Sequence, residues 1–292
     1  MRKIKTNFFL MIFVLAGAGA GFAEKGPSKL SFSISGGWGT YDGADYNSAA
    51  GDANINRAWT GVGPDTLDKF TTGCGAGLEA VYWIAPRWGI GAGLGWFGSR
   101  ITDNRLDSRT SLYDSTMVIN ASIDIIPVIL QLHYLLPLGE KTFIDIGFGP
   151  GLYFGRFHSE SVSHDNLSSE GYWQSFEFTG RTTALGLQGG IGLEWPLIDN
   201  RLWIVGKVEA RTLDLHELKD EYLNTWSSTQ GTYTSGGTGY KYWAFDRDYG
   251  LGPFHETLFL KETPSGSLIQ NLKEASVGGS AIWASFGIKV RV

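Results

Sequence analysis

The chain has 292 residues and carries 24 Lys and Arg against 29 Asp and Glu, a formal net charge of −5. Glycine is abundant (41 residues), aromatics reach 14% and charged residues only 18%, a balance unusual for a water-soluble enzyme. An acidic chain without a clustered Lys/Arg run argues against a nucleic-acid partner, and a lone cysteine, Cys74, against an internal disulfide framework.

Residues 1–23 read as a secretory signal peptide. Arg2, Lys3 and Lys5 form a basic head, and an apolar run from Phe8 to Ala20 follows, too short to span a membrane as a helix. Gly21-Phe22-Ala23 offers the small residues a signal peptidase reads, and Glu24 stands where a lipoprotein signal needs a cysteine. Removing those three cations takes the charge from −5 to −8 and leaves about 270 residues, enough for one large or two small domains. No later stretch of roughly 18 apolar residues occurs, so helical spans are not expected. The remaining membrane solution is a closed barrel, because lipid cannot satisfy open backbone groups.

Eight segments carry the two-residue alternation of strands. Ser28–Gly39 sets Leu30, Phe32 and Ile34 against serines, and Thr72–Ile84 sets Ala76, Leu78, Ala80 and Tyr82 against Gly75, Gly77 and Glu79. Trp88–Thr102 alternates glycine with Ile90, Ala92, Leu94 and Trp96, and Val118–Leu136 is the most apolar. Thr142–Phe157, Arg181–Trp195, Leu202–Leu213 and Val277–Val292 complete the set. Helical spacing is nearly absent, with a short candidate near Leu215–Tyr222. Should Lys241–Phe245 and Leu258–Lys261 pair as strands, the count becomes ten.

The connections alternate in length. Ala85–Arg87, Pro137–Lys141 and Pro196–Arg201 are short turns, whereas Thr40–Thr71, Asp103–Met117, His158–Gly180 and Asp214–Ser276 are long. Short turns on one rim and long loops on the other mark an outer-membrane barrel, and a soluble sandwich has no reason to sort its loops by parity. Tyr82, Trp83, Trp88, Tyr134, Phe143, Trp195 and Trp203 flank the short turns and are expected at one membrane interface. A second aromatic cluster, Trp96, Phe97, Phe154 and Phe157, begins about nine residues further on, the span of a tilted strand.

The residues facing away from the apolar side include charges of both signs: Glu79, Asp145, Glu194, Lys207, Glu209 and Arg211, together with Lys289 and Arg291. In a narrow barrel they can pair across the lumen, which closes it, or line a water-filled or proton-conducting path.

With these residues placed, the chain resembles the outer-membrane β-barrel domain family, the small OmpA/OmpX-like barrels. The resemblance rests on Ile144–Phe154, on Leu187–Glu194 and on the closing strand, Ser285–Val292. Ser285, Gly287, Val290 and Val292 there fit the C-terminal signal read by the barrel-assembly machinery, departing from it at Val292, where an aromatic is commoner. The resemblance implies fold and membrane, and little about activity.

Motifs of chemistry are sparse. Gly93–Gly98 fits G-x-G-x-x-G but lacks a following helix. His133 reads as a hydrogen-bonded core histidine. His158 and Ser159 are residue types of barrel lipid hydrolases, yet strand neighbours point to opposite faces. Asp214, His216 and Glu217 offer loop ligands for a metal, a common coincidence. Tyr222, Trp226, Tyr240, Tyr242 and Trp243 lie in a Gly/Ser-rich loop suited to contact with a glycan or protein, or simply to packing on one another.

The expectation is an all-β fold, a closed antiparallel up-and-down transmembrane β-barrel of eight strands exported to a Gram-negative-type outer membrane. It is expected to be non-enzymatic and free of cofactors, with a structural or surface-recognition role in its loops. A narrow pore for small or apolar solutes is the alternative, and a lipid-modifying enzyme the second. The expected partners are outer-membrane lipid and lipopolysaccharide, the assembly machinery and a surface glycan or protein, with no nucleic acid.

Overall fold

The computed structural model describes residues 29–50, 67–109, 114–139, 141–165, 172–198, 201–228, 231–248, 253–260, 262–265 and 269–292. The expected signal peptide lies outside them. Each alternating segment forms a strand: β1 (Leu30–Thr40), β2 (Thr72–Trp83), β3 (Trp88–Arg109), β4 (Asp114–Pro137), β5 (Phe143–Asp165), β6 (Trp173–Ile198) and β7 (Leu202–Thr212). The chain then leaves the wall through β8 (Asp214–Leu215), β9 (Lys219–Ser228), β10 (Gly231–Asp248), β11 (Pro253–Leu260), β12 (Ile269–Glu274) and β13 (Val277–Gly278), and returns as β14 (Ala281–Arg291).

Antiparallel pairing runs from β1 to β7 in sequence order, and β14 bonds to β1 on one side and to β7 on the other. Ile288 thus stands opposite both Ile34 and Ile204, and the eight strands form a ring. Strand β6, 26 residues long, divides its free side: Leu187–Ile198 meets β7, whereas Trp173–Arg181 meets β9. Strands β9 to β12 therefore extend the sheet beyond the long-loop rim.

Side-chain parity gives the wall two opposite faces. Ile34 (58% exposed), Leu94 (53%), Ile191 (59%) and Phe286 (63%) point out, while their strand neighbours face the lumen. Exposed apolar residues cover the whole circumference, far beyond the patch a water-soluble monomer tolerates. On β5 the belt runs from Ile144 to Phe154, a height of about 25 Å for a tilted strand, the thickness of a membrane's apolar core. No described helix is long and apolar enough to cross a membrane; the crossing is made by strands.

Four expectations need correction. Residues 103–117 and 158–180 are not loops in the main: β3 and β4 stay paired up to Arg109 and Asp114, and β5 and β6 up to His164 and Trp173. Backbone pairing needs no apolar side chain, so ladders that leave the membrane lose the alternating signal while keeping the strand. A register shift between Ile101 and Asn104, with Asp103 at φ 53°, marks the irregularity that made the first one look like a break. Leu215–Tyr222 is not helical but runs from the end of β8 into the start of β9, whereas residues 44–50 are helical. Lys241–Phe245 does pair with β11, but beyond the ring, so the barrel count stays at eight.

The aromatic girdle is likewise split by parity. Tyr82 and Trp195 face outward, but Trp83 and Trp203 turn inward and are 4% and 1% exposed. Trp88 packs on Tyr134 at 4.8 Å with the rings tilted by 52°, and Phe143 packs on Trp203 at 5.7 Å. In the second cluster Trp96 and Phe154 point out, while Phe97 and Phe157 are core residues.

Leu94→Arg places a charge in mid-belt and is expected to cost about 2–4 kcal/mol. Urea titration of the protein folded in phospholipid vesicles measures it; a loss below 0.5 kcal/mol (roughly the effect of a neutral surface change) refutes the belt.

Candidate functional site

The lumen is built in three storeys. At the short-turn end a continuous chain of ionisable side chains forms a floor. Arg291 donates from Nη2 to Glu194 Oε2, and Lys289 Nζ donates to Glu194 Oε1 at 2.5 Å and to Asp145 Oδ2 at 3.4 Å. His133 sits between two carboxylates, Nδ1 at 2.9 Å from Asp145 Oδ1 and Nε2 at 3.2 Å from Glu79 Oε1. Lys207 Nζ closes the chain on Glu79 Oε2 at 2.6 Å. Three carboxylates thus meet Lys207, Lys289 and Arg291, the condition under which buried charge is tolerated.

The walls of the floor are aromatic. Trp83 Nε1 donates to Ser31 Oγ (3.1 Å), the Lys289 ammonium lies 5.2 Å from the Trp83 ring, and the Arg291 guanidinium lies 4.0 Å above Trp203. Space comes from the neighbouring strand β3: a Cβ on Gly91 would lie 2.6 Å from His133 Nε2. Backbone without a side chain is what lets the imidazole occupy the centre of so narrow a ring.

Of the six charges expected to form a lumen network, Glu79, Asp145, Glu194 and Lys207 come together. Glu209 stands one storey higher, accepting from Gln188 Nε2 at 3.1 Å. Arg211 is not part of the network: Nε donates to the Gly279 carbonyl (3.0 Å), and the guanidinium lies 3.0 Å over the Phe97 ring. His133 was legible as inward by its phase with Ile129 and Gln131, but its two partners were not.

Above the floor lies a cavity of about 90 Å³ lined by Ser33, Ser35, Gln131, Gln188, Glu209 and Arg211, among others. It has room for several waters. Gln131 Nε2 and Arg211 Nη2 are buried and, among the described residues, without a hydrogen-bond partner. Two orphaned donors at one chamber are a cost that a bound acceptor removes.

A roof closes the chamber on the long-loop side. Chain leaving β7 at Thr212 turns inward, burying Leu213, Leu215 and Leu218, and β8 pairs there with β13. Phe157 stacks on Tyr242 at 5.5 Å, and Tyr46 packs on Phe70 at 5.0 Å. Asp45 clamps the roof, accepting from Ser276 N (2.7 Å) and Oγ (3.1 Å), with Lys273 Nζ at 2.8 Å. Burial pushes this carboxyl up, but the hydrogen bonds from Lys273 and Ser276 and the Lys273 charge outweigh it and hold it below the ordinary carboxylate range.

The aromatic residues of the last long connection do not form one surface. Tyr242 and Trp243 are buried, Tyr222 packs on Tyr240 at 4.6 Å, and Trp226 stacks on Tyr233 at 5.8 Å near the tip of the β9–β10 hairpin. Along β14, Ser285 faces the lumen, Val290 and Val292 are exposed, and a Cβ on Gly287 would meet Ile34 O at 2.2 Å. Gly93–Gly98 lies wholly within β3. His158 Nδ1 is 3.1 Å from Thr179 Oγ1 in a strand that continues to Asp165. Among the described residues no group of three His, Cys, Asp or Glu is placed to hold a metal.

No family model matches the chain, and no curated protein does. Among solved structures it is similar to the outer membrane protein OprG from Pseudomonas aeruginosa (14% identity, 91% of this chain and 98% of that one, TM-score 0.40). It is similar, too, to a major outer membrane protein from Thermus thermophilus (14% identity, 90% and 99%, TM-score 0.37). A third is a deletion mutant of the monoaromatic hydrocarbon channel TodX (8% identity, 91% of each chain, TM-score 0.25). The likeness is to outer-membrane barrels broadly and does not single out the OmpA/OmpX type. At such TM-scores it carries nothing further; the ladder pairings of this chain establish the barrel.

Lys289→Met removes the cation shared by two buried carboxylates, leaving Glu194 with Arg291 and Asp145 with His133 alone, and is expected to cost about 3–5 kcal/mol, read from urea unfolding in vesicles; adding Asp145→Asn recovers part of it. The Asp45 clamp predicts a pH dependence. A carboxyl held below its unfolded value stabilises fully above about pH 4 and loses that contribution as pH falls through its folded value. Amide exchange of Ser276, corrected for intrinsic rate, accelerates in that acid window, whereas Asp45→Asn accelerates it at pH 7, by about 1.5–3 kcal/mol of opening energy. Protection unchanged in both cases removes Asp45 from the roof.

Proposed function

We propose that the protein is an outer-membrane barrel providing a narrow, gated passage for small solutes, with the mid-lumen chamber as its way station. The observation that carries this reading is the chamber itself, with the unpartnered donors of Gln131 and Arg211. A barrel whose only task is structural gains stability by filling that storey, whereas a passage needs weak, polar, transient contacts between its two ends. The charged floor and apolar roof both close the axis at rest, so a solute passes only when one of them yields. Water-sized and short hydroxylated solutes suit the volume and the donors. The signal peptide expected from the sequence, the girth-wide apolar belt and the short turns confined to one rim support the outer membrane as the location.

The test is swelling of proteoliposomes in solutes of increasing size. Three-carbon polyols are expected to enter faster than in empty vesicles, and disaccharides not to. Gln131→Leu is expected to slow polyol entry about fivefold, the effect of one lost hydrogen bond, while the folded band on an unboiled gel stays in place. Swelling equal to that of empty vesicles, with that band intact, defeats the passage. A surface-recognition role is the second reading, favoured by the Trp226–Tyr233 stack at the hairpin tip, where Tyr233 is 42% exposed. Surface binding that survives removal of residues 224–235 counts against it.

A further inference from the structure

The long-loop rim of the wall carries a row of cations that strand pairing alone disfavours. Arg156 of β5 stands directly opposite Arg181 of β6, and Arg181 directly opposite Lys219 of β9. All three side chains point outward and are exposed. Like charges at opposed positions destabilise a ladder. Compensation is thin: Asp220 Oδ2 lies 3.5 Å from Arg181 Nε, and among the described residues neither Arg156 nor Lys219 has an ion-pair partner. Asp124, across the next ladder from Arg156, instead accepts from Trp96 Nε1 at 3.1 Å.

This row borders an open cavity of about 730 Å³ on the outside of the barrel, whose lining also includes Trp96, Ile126 and Phe154 with Asp124 and Glu217. Trp96, Ile126 and Phe154 are the top of the apolar belt, each 44–45% exposed. Arg156 follows Phe154 by one outward step along β5. Cations are therefore held where the headgroups of the outer leaflet begin, directly above a surface that takes acyl chains. A single amphiphile satisfies both halves: chains on the aromatic shelf, phosphate on the guanidinium pair and the lysine.

We propose that Arg156, Arg181 and Lys219 form a binding site for a phosphorylated lipid headgroup of the outer leaflet. The assignment rests on the membrane placement of the barrel and is independent of the lumen passage. An anion between the cations turns their mutual repulsion into attraction, so the row is unfavourable bare and stabilising when loaded.

The full mature protein, folded in detergent micelles, is incubated with bisphosphorylated lipid A, with its dephosphorylated form and with inorganic phosphate. Native mass spectrometry reads retained lipid, and the temperature at which the folded band is lost on a gel reads stability. The phosphorylated lipid is expected to be retained and to raise that temperature, and the other two additions not to. Arg181→Gln with Lys219→Gln is expected to lower retention about tenfold, and Arg181→Lys to keep most of it. The same double variant should melt higher than the parent without lipid and lower with it, a reversal that a merely structural role does not produce. Equal retention of the dephosphorylated lipid, or equal retention by the double variant, overturns the site. Equal stabilisation by inorganic phosphate makes it a free-anion site and overturns the lipid assignment. Swelling assays on the double variant keep this outcome separate from that of the chamber.

Discussion

Backbone hydrogen bonding in a solvent that offers none is the constraint from which the rest of the structure follows. Lipid leaves every N–H and C=O to find its partner within the protein, and a sheet meets that demand only by closing. Here closure falls to β14, paired to β1 through Ser31–Gly39 and to β7 through Leu202–Arg211. Its residues must fit two ladders at once. Gly287 shows how little slack that leaves, since any side-chain carbon there would strike the carbonyl of Ile34.

Closure turns the usual protein inside out. With apolar residues committed to the outside, the polar half of each alternating strand is confined to a ring of eight strands, an interior little wider than its side chains. Charges placed there must find one another, and the chain from Arg291 to Lys207 is the solution reached. It draws on β2, β4, β5, β6, β7 and β14, so it ties together strands that share no ladder. Glycines opposite the long side chains complete it; the space Gly91 leaves for His133 is as much a part of the floor as the ions are.

Parity explains both what was readable in the sequence and what was not. Strand segments, the short turns and the inward phase of Glu79, Asp145, Glu194 and Lys207 follow from a two-residue period, which needs no partner information. Which charge meets which depends on the stagger between strands, and that is fixed by ladders between distant segments such as Ile288 with Ile34. Arg211 shares the parity of Lys207 but sits higher on the same strand, where the roof rather than the floor is its neighbour. Trp83 and Trp203 were misplaced for the converse reason: proximity to a turn set their depth correctly but not their face. Strand extensions past the membrane were invisible because their outward side chains meet water rather than lipid, so alternation loses its cause there. The roof was unreadable, since it depends on chain leaving the wall at Thr212.

That departure links the chamber to the cation row. Strand β7 stops at Thr212, opposite Leu187 and well short of the upper end of β6, so β6 beyond Leu187 is left without β7 as a partner. An exposed edge in that position invites pairing with whatever lies near. The chain resolves it by crossing inward, where Leu213, Leu215 and Leu218 cover the chamber, and by returning as β9 on the vacant edge. The first residue of that returning strand is Lys219, set directly against Arg181. One early strand ending thus produces both the cover over the lumen and the juxtaposition of charges on the outer wall. A substitution that lengthened β7 by a turn of alternation would be felt at both places, although they lie on opposite faces of the sheet and share no side chain.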